Sequence, residues 1–303
     1  MLAWYQHLPQ IISPIAFTVG FLSVHWYSLM YLVGFAVVYG LLQWRVKKRE
    51  YLNVISYQSS VIRKNTKNVE KNDDKFQVMD FRELLFDLLL AAFVGGLIGA
   101  RLGYALIYNT SYFLLHPIKI ISPYGLGGDF EGLYGMSYHG AMIGGIAGVY
   151  VYSKIKKLNF LNYADFIVPA LSLGYFFGRL GNFLNGELFG RITTSKFGMY
   201  FAGSPNVLRY PSQILEALME GLLLFIILWK LRNQKRMPTG FLFALYIFGY
   251  SAMRFICEFF RDPDVQLGYI FLGLTMGQVL SIVSVFILAG WLCLKNKKSA
   301  IIK

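Results

Sequence analysis

Ionisable side chains inside apolar segments are the strongest indication of chemistry in this sequence. A charge at the centre of a bilayer costs roughly 2.5–3.5 kcal/mol on insertion scales, so each such residue is a functional candidate. The candidates are Arg101, His139, Arg179, Glu187, Arg254, Glu258 and Arg261. Arginine predominates among them, and its planar guanidinium group binds phosphate oxygens through two parallel hydrogen bonds. The residue types therefore indicate a site for an anionic, phosphate-bearing group.

The segment LGYFFGRLGNFLNGELFGR, residues 173–191, contains the densest group of candidates. Arg179 and Asn182 are three residues apart and share one face of a helix. Gly178 and Gly181 leave room beside them for a ligand head group. An arginine that extends to the outer interface, or that binds carbonyl groups of the following loop, would give the same pattern. The spacing predicts a binding site and leaves that structural alternative open.

A second group lies in GYSAMRFICEFFRDPD, residues 249–264. Its polar residues form one helical stripe, which consists of Tyr250, Arg254, Glu258 and Arg261. Arg254 and Glu258 can neutralise each other as an i,i+4 pair, whereas Arg261 is surplus. We therefore expect Arg261 to leave net positive charge at the outer end of this helix, and an arginine cluster with no matching acid is what a phosphate group requires.

His139 begins the apolar segment YHGAMIGGIAG, where it is either a polar helix cap or a site residue. With one histidine and no cluster of Cys or Asp nearby, the sequence predicts no metal site, and no organic cofactor is indicated. Glycines recur every four residues, at Gly140, Gly144 and Gly148 and at Gly95, Gly99 and Gly103. Such stripes allow helices to approach closely, so we expect a packing role for them.

The composition indicates what kind of protein positions these residues. Of the 303 residues, 56% are hydrophobic and 15% are charged, against about 25% charged in a typical soluble domain. Long apolar runs recur from Val24 to Leu294, and 18 or more consecutive apolar residues are typical of a membrane span. A disordered chain, a disulfide scaffold and a soluble enzyme are thereby excluded. The sequence predicts an all-α, polytopic integral membrane protein.

The net charge of +13, from 29 Lys and Arg against 16 Asp and Glu, would also suit a nucleic-acid partner. The basic residues, however, follow every second apolar run, at 45–49, 154–157, 230–236 and 295–303. Such alternation is typical of cytoplasmic loops. We therefore expect no nucleic-acid partner, an N-terminus outside the cytoplasm and a C-terminus inside it.

Seven spans fit this pattern and form a single catalytic bundle over residues 1–303. We place them near 24–44, 84–108, 138–153, 164–184, 212–231, 240–260 and 270–293. The polar segment 45–80 is then a cytoplasmic loop. The segments 109–137 and 185–211 are extracytoplasmic loops, and their aromatic residues and glycines lead us to expect ordered structure.

The converging arginines, amides and tyrosines fit two classes of function. One is an intramembrane enzyme that acts on an anionic lipid, and the other is an anion transporter or channel. The spans contain no detectable inverted repeat, and the polar groups collect toward one side of the membrane rather than along a path. Both observations favour the enzyme without excluding the transporter.

Residues 178–191, GRLGNFLNGELFGR, resemble the signature of the prolipoprotein diacylglyceryl transferase family. Further similarity occurs in HWYSLMY (25–31), GARLGY (99–104), YHGAMIGG (138–145), PSQILEA (211–217) and GYSAMRFICEFFRDPD (249–264). The resemblance covers roughly residues 20–295 and implies a multi-pass enzyme of the bacterial cytoplasmic (inner) membrane. The implied reaction moves the sn-1,2-diacylglyceryl group from phosphatidylglycerol to the lipobox cysteine of a prolipoprotein signal peptide. Its products are a thioether and glycerol 1-phosphate.

The resemblance also implies roles for the candidate residues. His139, Arg179 and Arg254 are implied to be catalytic, with His139 or an arginine-assisted thiolate as the means of activating the thiol. The implied phosphatidylglycerol head-group site consists of Arg179, Asn182, Glu187, Tyr27, Tyr250, Glu258 and Arg261. No metal or cofactor is implied. We accordingly expect Arg254→Ala to abolish transfer and to leave the protein folded.

The chain departs from the family pattern at two places. Tyr210 stands where the family's HPSQ-like segment has histidine, so this position cannot supply a base. The loop 45–80 is longer than usual for the family. Because it lies on the face opposite the chemistry, we expect this loop to tolerate deletion.

Overall fold

The computed structural model describes residues 2–20, 22–52, 54, 74–107, 110–122, 135–234, 237–263 and 268–301. Helices predominate in this part of the chain. They are α1 (Leu2–Ile11), α2 (Trp26–Lys47), α3 (Asp74–Ile107), α4 (Thr110–Leu115), α5 (Tyr138–Ile155), α6 (Phe160–Leu184), α7 (Ser212–Glu216), α8 (Leu224–Leu231), α9 (Phe241–Cys257) and α10 (Met276–Ile301). A π-helical segment, Ala217–Leu223, joins α7 to α8, and a 3-10 turn, Pro117–Ile120, follows α4.

Four helices among the described residues are long and apolar enough to cross a membrane. They are Trp26–Lys47, Phe81–Leu106, Phe160–Leu184 and Met276–Cys293. The helix α9 is also apolar but shorter. Large apolar side chains such as Leu32, Phe93 and Phe286 are exposed on these helices, as expected for surfaces that face lipid. The prediction of a helical membrane protein is thereby confirmed.

Helices extend from both sides into the segment 45–80 that is predicted to be a cytoplasmic loop. The helix α2 continues to Lys47, and α3 already begins at Asp74, before the predicted start of its span at residue 84. Charged residues are compatible with a helix that continues beyond the bilayer, because their long side chains reach water. Residues 55–73 of this loop and residues 123–134 of the predicted loop 109–137 lie outside the described residues.

Short antiparallel β-hairpins precede three of the helices. The strands β1 (Ile15–Val19) and β2 (Leu22–His25) lead into α2, β3 (Met199–Phe201) and β4 (Ser204–Arg209) into α7, and β5 (Tyr269–Phe271) and β6 (Leu274–Thr275) into α10. The all-α prediction did not contain them, because strands this short give too little periodicity to be recognised. The hairpin β3–β4 does agree with the expectation that segment 185–211 is ordered.

The chain forms two compact units, residues 1–48 with 164–303 and residues 49–163. In the second unit, α3 and α5 pack through the two glycine stripes. A Cβ atom on Gly99 would lie 2.7 Å from the Cα of Gly144, and one on Gly103 would lie 2.9 Å from the Cα of Gly140. A larger residue therefore does not fit between these backbones, and the predicted packing role is confirmed.

Arg101, a candidate for chemistry in the sequence, is bound to backbone carbonyl groups of the second unit. Its guanidinium group donates to the carbonyls of Ile120 (2.8 Å), Lys119 (2.6 Å) and Gly135 (3.2 Å). It also lies over the ring of Phe113. These bonds satisfy a partly buried cation and tie the segment after α3 to this helix. Its contacts indicate a structural role.

In the first unit, the carboxylate of Asp165 fixes the start of the helix that carries Arg254. Asp165 lies on α6 and accepts hydrogen bonds from the N–H groups of Gly240 (2.6 Å) and Phe243 (2.8 Å) at the beginning of α9. It thus satisfies donors that the first turn of a helix leaves without partners. A buried apolar cluster between α6, α8 and α9 holds the same helices together.

We predict that Asp165→Ala lowers the free energy of unfolding by about 1 kcal/mol, because the start of α9 loses its cap. The measurement is thermal unfolding of the purified protein in detergent. Asp165→Asn keeps one acceptor oxygen and should lose less. Equal stability of the Ala variant and the unchanged protein would contradict the capping role.

Candidate active site

Arg179 lies near the end of α6, where its guanidinium group is held at the Nε atom. This Nε lies 2.9 Å from Oε2 of Glu216 and donates a hydrogen bond of 2.7 Å to the hydroxyl of Tyr175, one turn earlier on the same helix. Among the described residues, neither Nη group of Arg179 has a hydrogen-bond partner. None of the described residues thus occupies the end of the guanidinium group that can bind a phosphate with two hydrogen bonds.

Arg254 lies on α9 and contacts three carboxylates. Its Nη1 atom is 2.8 Å from Oε2 of Glu216 and 3.8 Å from Oε1 of Glu220, and its Nη2 atom donates to Glu258. Arg261, just after α9, lies 3.8 Å from both Glu216 and Glu258. One carboxylate oxygen, Oε2 of Glu216, therefore faces all three arginines of the cluster.

Glu216 and Glu220 are functional candidates that the sequence analysis missed. Both are fully buried, at 0% exposure, in α7 and the π-helical segment. The signal that singled out the arginines was present here as well, since both glutamates interrupt the apolar run ILEALMEGLLLF, residues 214–225. Glu216 lies within the motif PSQILEA, which is one of the segments that resemble the family.

The i,i+4 pair of Arg254 with Glu258 is confirmed, whereas the expectation that Arg261 has no matching acid is wrong. Three arginines and three glutamates form an arginine–glutamate cluster, so its described ion pairs are formally balanced. Its members are Arg179, Arg254, Arg261, Glu216, Glu220 and Glu258. Charges that leave water need partners, because the loss of hydration of an isolated buried ion is not otherwise offset. Two of the acids come from another helix, and an i,i+4 rule applied within one helix does not find them.

Glu258 is held in turn by the first turn of α10. Its Oε2 atom accepts a hydrogen bond of 2.8 Å from the hydroxyl of Thr275. Thr275 and Gln278 form a capping box, in which the Thr275 N–H donates to the Gln278 side chain (3.1 Å) and the Gln278 N–H to the Thr275 hydroxyl (3.3 Å). A Cβ atom on Gly277 would overlap the Glu258 carboxylate. The start of α10 therefore fixes the acid that pairs with Arg254.

The other residues of the predicted head-group site form a second polar cluster. The Asn182 side chain donates to Oε1 of Glu187 (2.9 Å), and the Asn185 side chain accepts from the N–H of Tyr27 (3.2 Å). The Tyr27 hydroxyl donates to that of Tyr31 (3.0 Å). Glu187 is exposed, whereas Asn182 is buried. The signature segment thus bonds to the beginning of α2 as well as presenting Arg179.

Hydrogen bonds from the start of α7 fix the loop that follows Arg179. The side chain of Gln213 donates to the carbonyl of Glu187 (2.6 Å), and the Ser212 hydroxyl donates to the carbonyl of Leu188 (3.2 Å). Leu188 has a φ of 57°, which is uncommon for a residue with a side chain. Such backbone strain persists where surrounding bonds impose it, and here Ser212 and Gln213 supply them.

Arg191 connects this loop to the end of α9. Its N–H donates to the carbonyl of Phe260 (2.9 Å), and its guanidinium group donates to the carbonyls of Arg261 (2.9 Å) and Glu258 (3.2 Å). The preceding Gly190 donates to the carbonyl of Tyr210 (2.8 Å). The loop therefore supports the backbone of Glu258 and Arg261, which both belong to the arginine–glutamate cluster.

Three further predicted positions have different surroundings. The rings of Tyr250 and Tyr175 make an edge contact, with centroids 5.6 Å apart. Tyr250 therefore lies beside the tyrosine that binds Nε of Arg179. Tyr210, which replaces the family's histidine, packs edge-on against Phe260 and contributes backbone bonds. His139 lies in the first turn of α5, and its side chain lies outside the described part of the chain.

No group of three or more His, Cys, Asp or Glu side chains within the described ranges is arranged to hold a metal ion. The chemistry that the cluster can perform is electrostatic. Arg179 presents positive charge and free donors from a buried, rigid setting, where an arriving anion would be bound more strongly than in water.

A family model described as prolipoprotein diacylglyceryl transferase matches residues 14–294 of the chain. A phosphatidylglycerol–prolipoprotein diacylglyceryl transferase of Chlorobaculum tepidum is 42% identical over 281 residues, which are 91% of this chain and 88% of that protein. Its counterpart in Campylobacter jejuni is 38% identical over 298 residues, 97% of this chain and 98% of that protein. A Helicobacter pylori enzyme of the same name is 40% identical over 297 residues, 96% and 95% of the two chains.

The contacts of Arg254 argue against the expectation that Arg254→Ala leaves the protein folded. Without Arg254, the buried carboxylates of Glu216, Glu220 and Glu258 would have only the cations of Arg179 and Arg261 beside them. We predict a loss of about 3–5 kcal/mol in unfolding free energy. Thermal unfolding in detergent measures it, with Lys230→Ala, an exposed cation at the end of α8, as the control. An Arg254→Ala variant as stable as the unchanged protein would show that the ion pairs of Arg254 are not needed for folding.

We also predict that Gly190→Ala destabilises the protein by roughly 1–3 kcal/mol, as overpacking does. A Cβ atom there would lie 2.7 Å from the carbonyl oxygen of Tyr210 and would overlap that of Phe260. The control is Gly40→Ala in α2, where a Cβ atom meets nothing within 4 Å and helix propensity should improve. Equal unfolding temperatures for the two variants would contradict this account.

Proposed function

This chain belongs to the prolipoprotein diacylglyceryl transferase family, and we propose that its arginine–glutamate cluster is the place where a diacylglyceryl group leaves phosphatidylglycerol. Family membership decides between the two classes of function that the residues left open, in favour of a transferase. Phosphatidylglycerol supplies the diacylglyceryl group and a prolipoprotein receives it, in accordance with the names of the relatives.

The observation that carries the proposal is the state of Arg179. Tyr175 and Glu216 bind the Nε side of its guanidinium group, and both Nη groups are without protein partners among the described residues. These two donors can bind two oxygens of one phosphate. Glu216 also keeps Arg179 near Arg254, so that the phosphate would meet a positive group without the full repulsion between two unpaired cations.

The transfer is a displacement at the sn-3 carbon of the diacylglyceryl group. The cysteine sulfur forms a bond to this carbon as the bond from carbon to phosphate oxygen breaks. The electron pair of the broken bond leaves with glycerol 1-phosphate. Arg179 would stabilise the negative charge that develops on the leaving phosphate, which lowers the barrier more than it stabilises bound substrate.

The thiol must lose its proton for this attack, since the thiolate is the nucleophile. The resemblance assigns this step to His139, and an arginine-assisted thiolate is the alternative that the sequence leaves open. Tyr210 does not supply the base, because its phenol replaces the family's imidazole.

The remaining head-group residues divide according to their contacts. Glu187 is exposed and can accept hydrogen bonds from glycerol hydroxyls, while Asn182 orients it and Tyr27 lies nearby on the bonded start of α2. Glu258 uses both carboxylate oxygens, for Arg254 and Thr275. We therefore propose that Glu258 and Arg261 shape the charged cluster, and that Tyr250 supports it from the side of Tyr175.

We further propose that the chain is a single catalytic domain that crosses the bacterial cytoplasmic membrane seven times, with its N-terminus outside. The helices α2, α3, α5, α6, α7–α8, α9 and α10 overlap the seven expected spans and support this proposal, although α3 begins earlier than its span and β5–β6 precede α10. The basic residues at 45–49, 154–157, 230–236 and 295–303 support cytoplasmic ends for alternate connections. Segments 109–137 and 185–211 would then lie outside the cytoplasm.

The test is a transfer assay on purified protein with labelled phosphatidylglycerol and a lipobox peptide. We predict that Arg179→Lys, which keeps the charge but loses the planar donor group, lowers kcat/KM about a hundredfold. The readouts are the diacylglyceryl mass gain on the peptide and the release of glycerol phosphate.

A peptide with Ser in place of the lipobox cysteine is the substrate control and should gain no mass. Unchanged activity of Arg179→Lys would move the phosphate site away from this cluster. Absence of product from folded, lipid-supplemented protein with the natural residues would overturn the proposed reaction itself.

A further inference from the structure

The hydroxyl of Tyr175 lies between Arg179 and Glu220 and bonds to both. It accepts a hydrogen bond of 2.7 Å from Nε of Arg179 and donates one of 2.5 Å to Oε2 of Glu220. A phenol has one proton to donate, so the donation to Glu220 leaves the oxygen lone pairs directed at Arg179. Glu220 therefore fixes the hydroxyl as a hydrogen-bond acceptor toward Arg179.

The main partner of Glu220 is this hydroxyl rather than a cation. The ion pair of Glu220 with Arg254 is long, at 3.8 Å between Oε1 and Nη1, whereas the same nitrogen lies 2.8 Å from Glu216. Oε1 of Glu220 is buried and has no hydrogen-bond partner among the described residues. Oε1 of Glu216 is in the same state, so the two acids differ at Oε2, which contacts arginines in Glu216 and the Tyr175 hydroxyl in Glu220.

Local backbone structure brings Tyr175 and Glu220 together. Glu220 lies in the π-helical segment Ala217–Leu223, and such segments often occur at functional sites. The next residue, Gly221, packs on α6, where a Cβ atom would lie 2.7 Å from the Cα of Phe176. This close approach of the two backbones beside Tyr175 brings its hydroxyl within hydrogen-bond distance of the Glu220 carboxylate.

We propose that Tyr175 and Glu220 are positioning residues that fix the plane of the Arg179 guanidinium group, so that both Nη donors face the leaving phosphate. This inference rests on the proposed function, because it concerns the arginine that would bind the phosphate. The ring of Tyr175 is itself fixed by its edge contact with Tyr250, which restricts where the hydroxyl can lie. Neither residue is proposed to touch substrate.

The first experiment separates turnover from binding in the transfer assay. Tyr175→Phe removes the hydroxyl and keeps the ring, and we expect kcat to fall about tenfold with less than about a twofold change in KM for phosphatidylglycerol. The matched control is Tyr163→Phe, a buried tyrosine on the same helix that packs against Phe81. A normal kcat for Tyr175→Phe would overturn the proposal.

Variants of Glu220 distinguish positioning from a general effect of charge. Glu220→Leu removes the acceptor and should lower kcat as much as Tyr175→Phe, whereas Glu220→Gln keeps an acceptor oxygen and should recover most of the activity. The double variant Tyr175→Phe/Glu220→Leu should be no slower than either single variant, since both act through one hydrogen bond. Additive losses, or equal losses for Leu and Gln, would contradict a role through Tyr175.

A spectroscopic readout tests the arrangement without reference to activity. The Nε–H resonance of Arg179, identified by its absence in Arg179→Lys, should shift in Tyr175→Phe and in Glu220→Leu but not in Tyr163→Phe. An unmoved resonance would overturn the positioning role even if transfer were normal. If the natural protein made no product, the proposed function would be overturned. The resonance would still test the hydrogen bond between Tyr175 and Arg179, so the two failures are distinguishable. Should Tyr175→Phe not fold, the Glu220 pair gives the same comparison.

Discussion

The organisation of the first unit depends on one buried carboxylate oxygen. Oε2 of Glu216 lies within 3 Å of donors from Arg179 and Arg254 and 3.8 Å from Arg261. Arginines are hardly ever deprotonated, so three of them inside an apolar bundle require acids that are equally well buried. Glu216, Glu220 and Glu258 meet this requirement, and the cluster as a whole can stay in lipid-surrounded protein while one guanidinium edge remains available to an anion.

Several members of the cluster are held by contacts with residues outside it. The carboxylate of Glu258 is bonded by the capping box that begins α10, and Arg191 supports the backbone around Glu258 and Arg261. Tyr175, whose hydroxyl donates to Glu220, accepts a hydrogen bond from Nε of Arg179. A group that must stabilise charge as it develops gains from being oriented before the reaction, because no reorganisation is then needed at that moment. The hairpins and helix starts around the cluster are therefore part of its chemistry.

Glycine serves two purposes in the molecule, and they differ in how far the sequence indicates them. The stripes in α3 and α5 repeat every four residues, so their packing role follows from spacing alone and is confirmed by the contact of Gly99 with Gly144. Gly221 and Gly277 belong to no stripe. Their need for a missing side chain arises from particular neighbours, Phe176 in one case and the Glu258 carboxylate in the other.

The sequence alone determined the helical membrane class, the family and the arginines, because hydropathy, alternating basic loops and an unusual motif are local properties of the chain. It did not reveal the acids that balance those arginines, the capping of Glu258 or the bridge through Tyr175. Residues 179, 216 and 254 come from three separate helices, and only their packing brings them within hydrogen-bond distance. A charge within an apolar run can be read from the sequence. The partner that stabilises this charge is decided by the tertiary structure, because electrostatic pairing acts over a few ångströms of space irrespective of sequence separation.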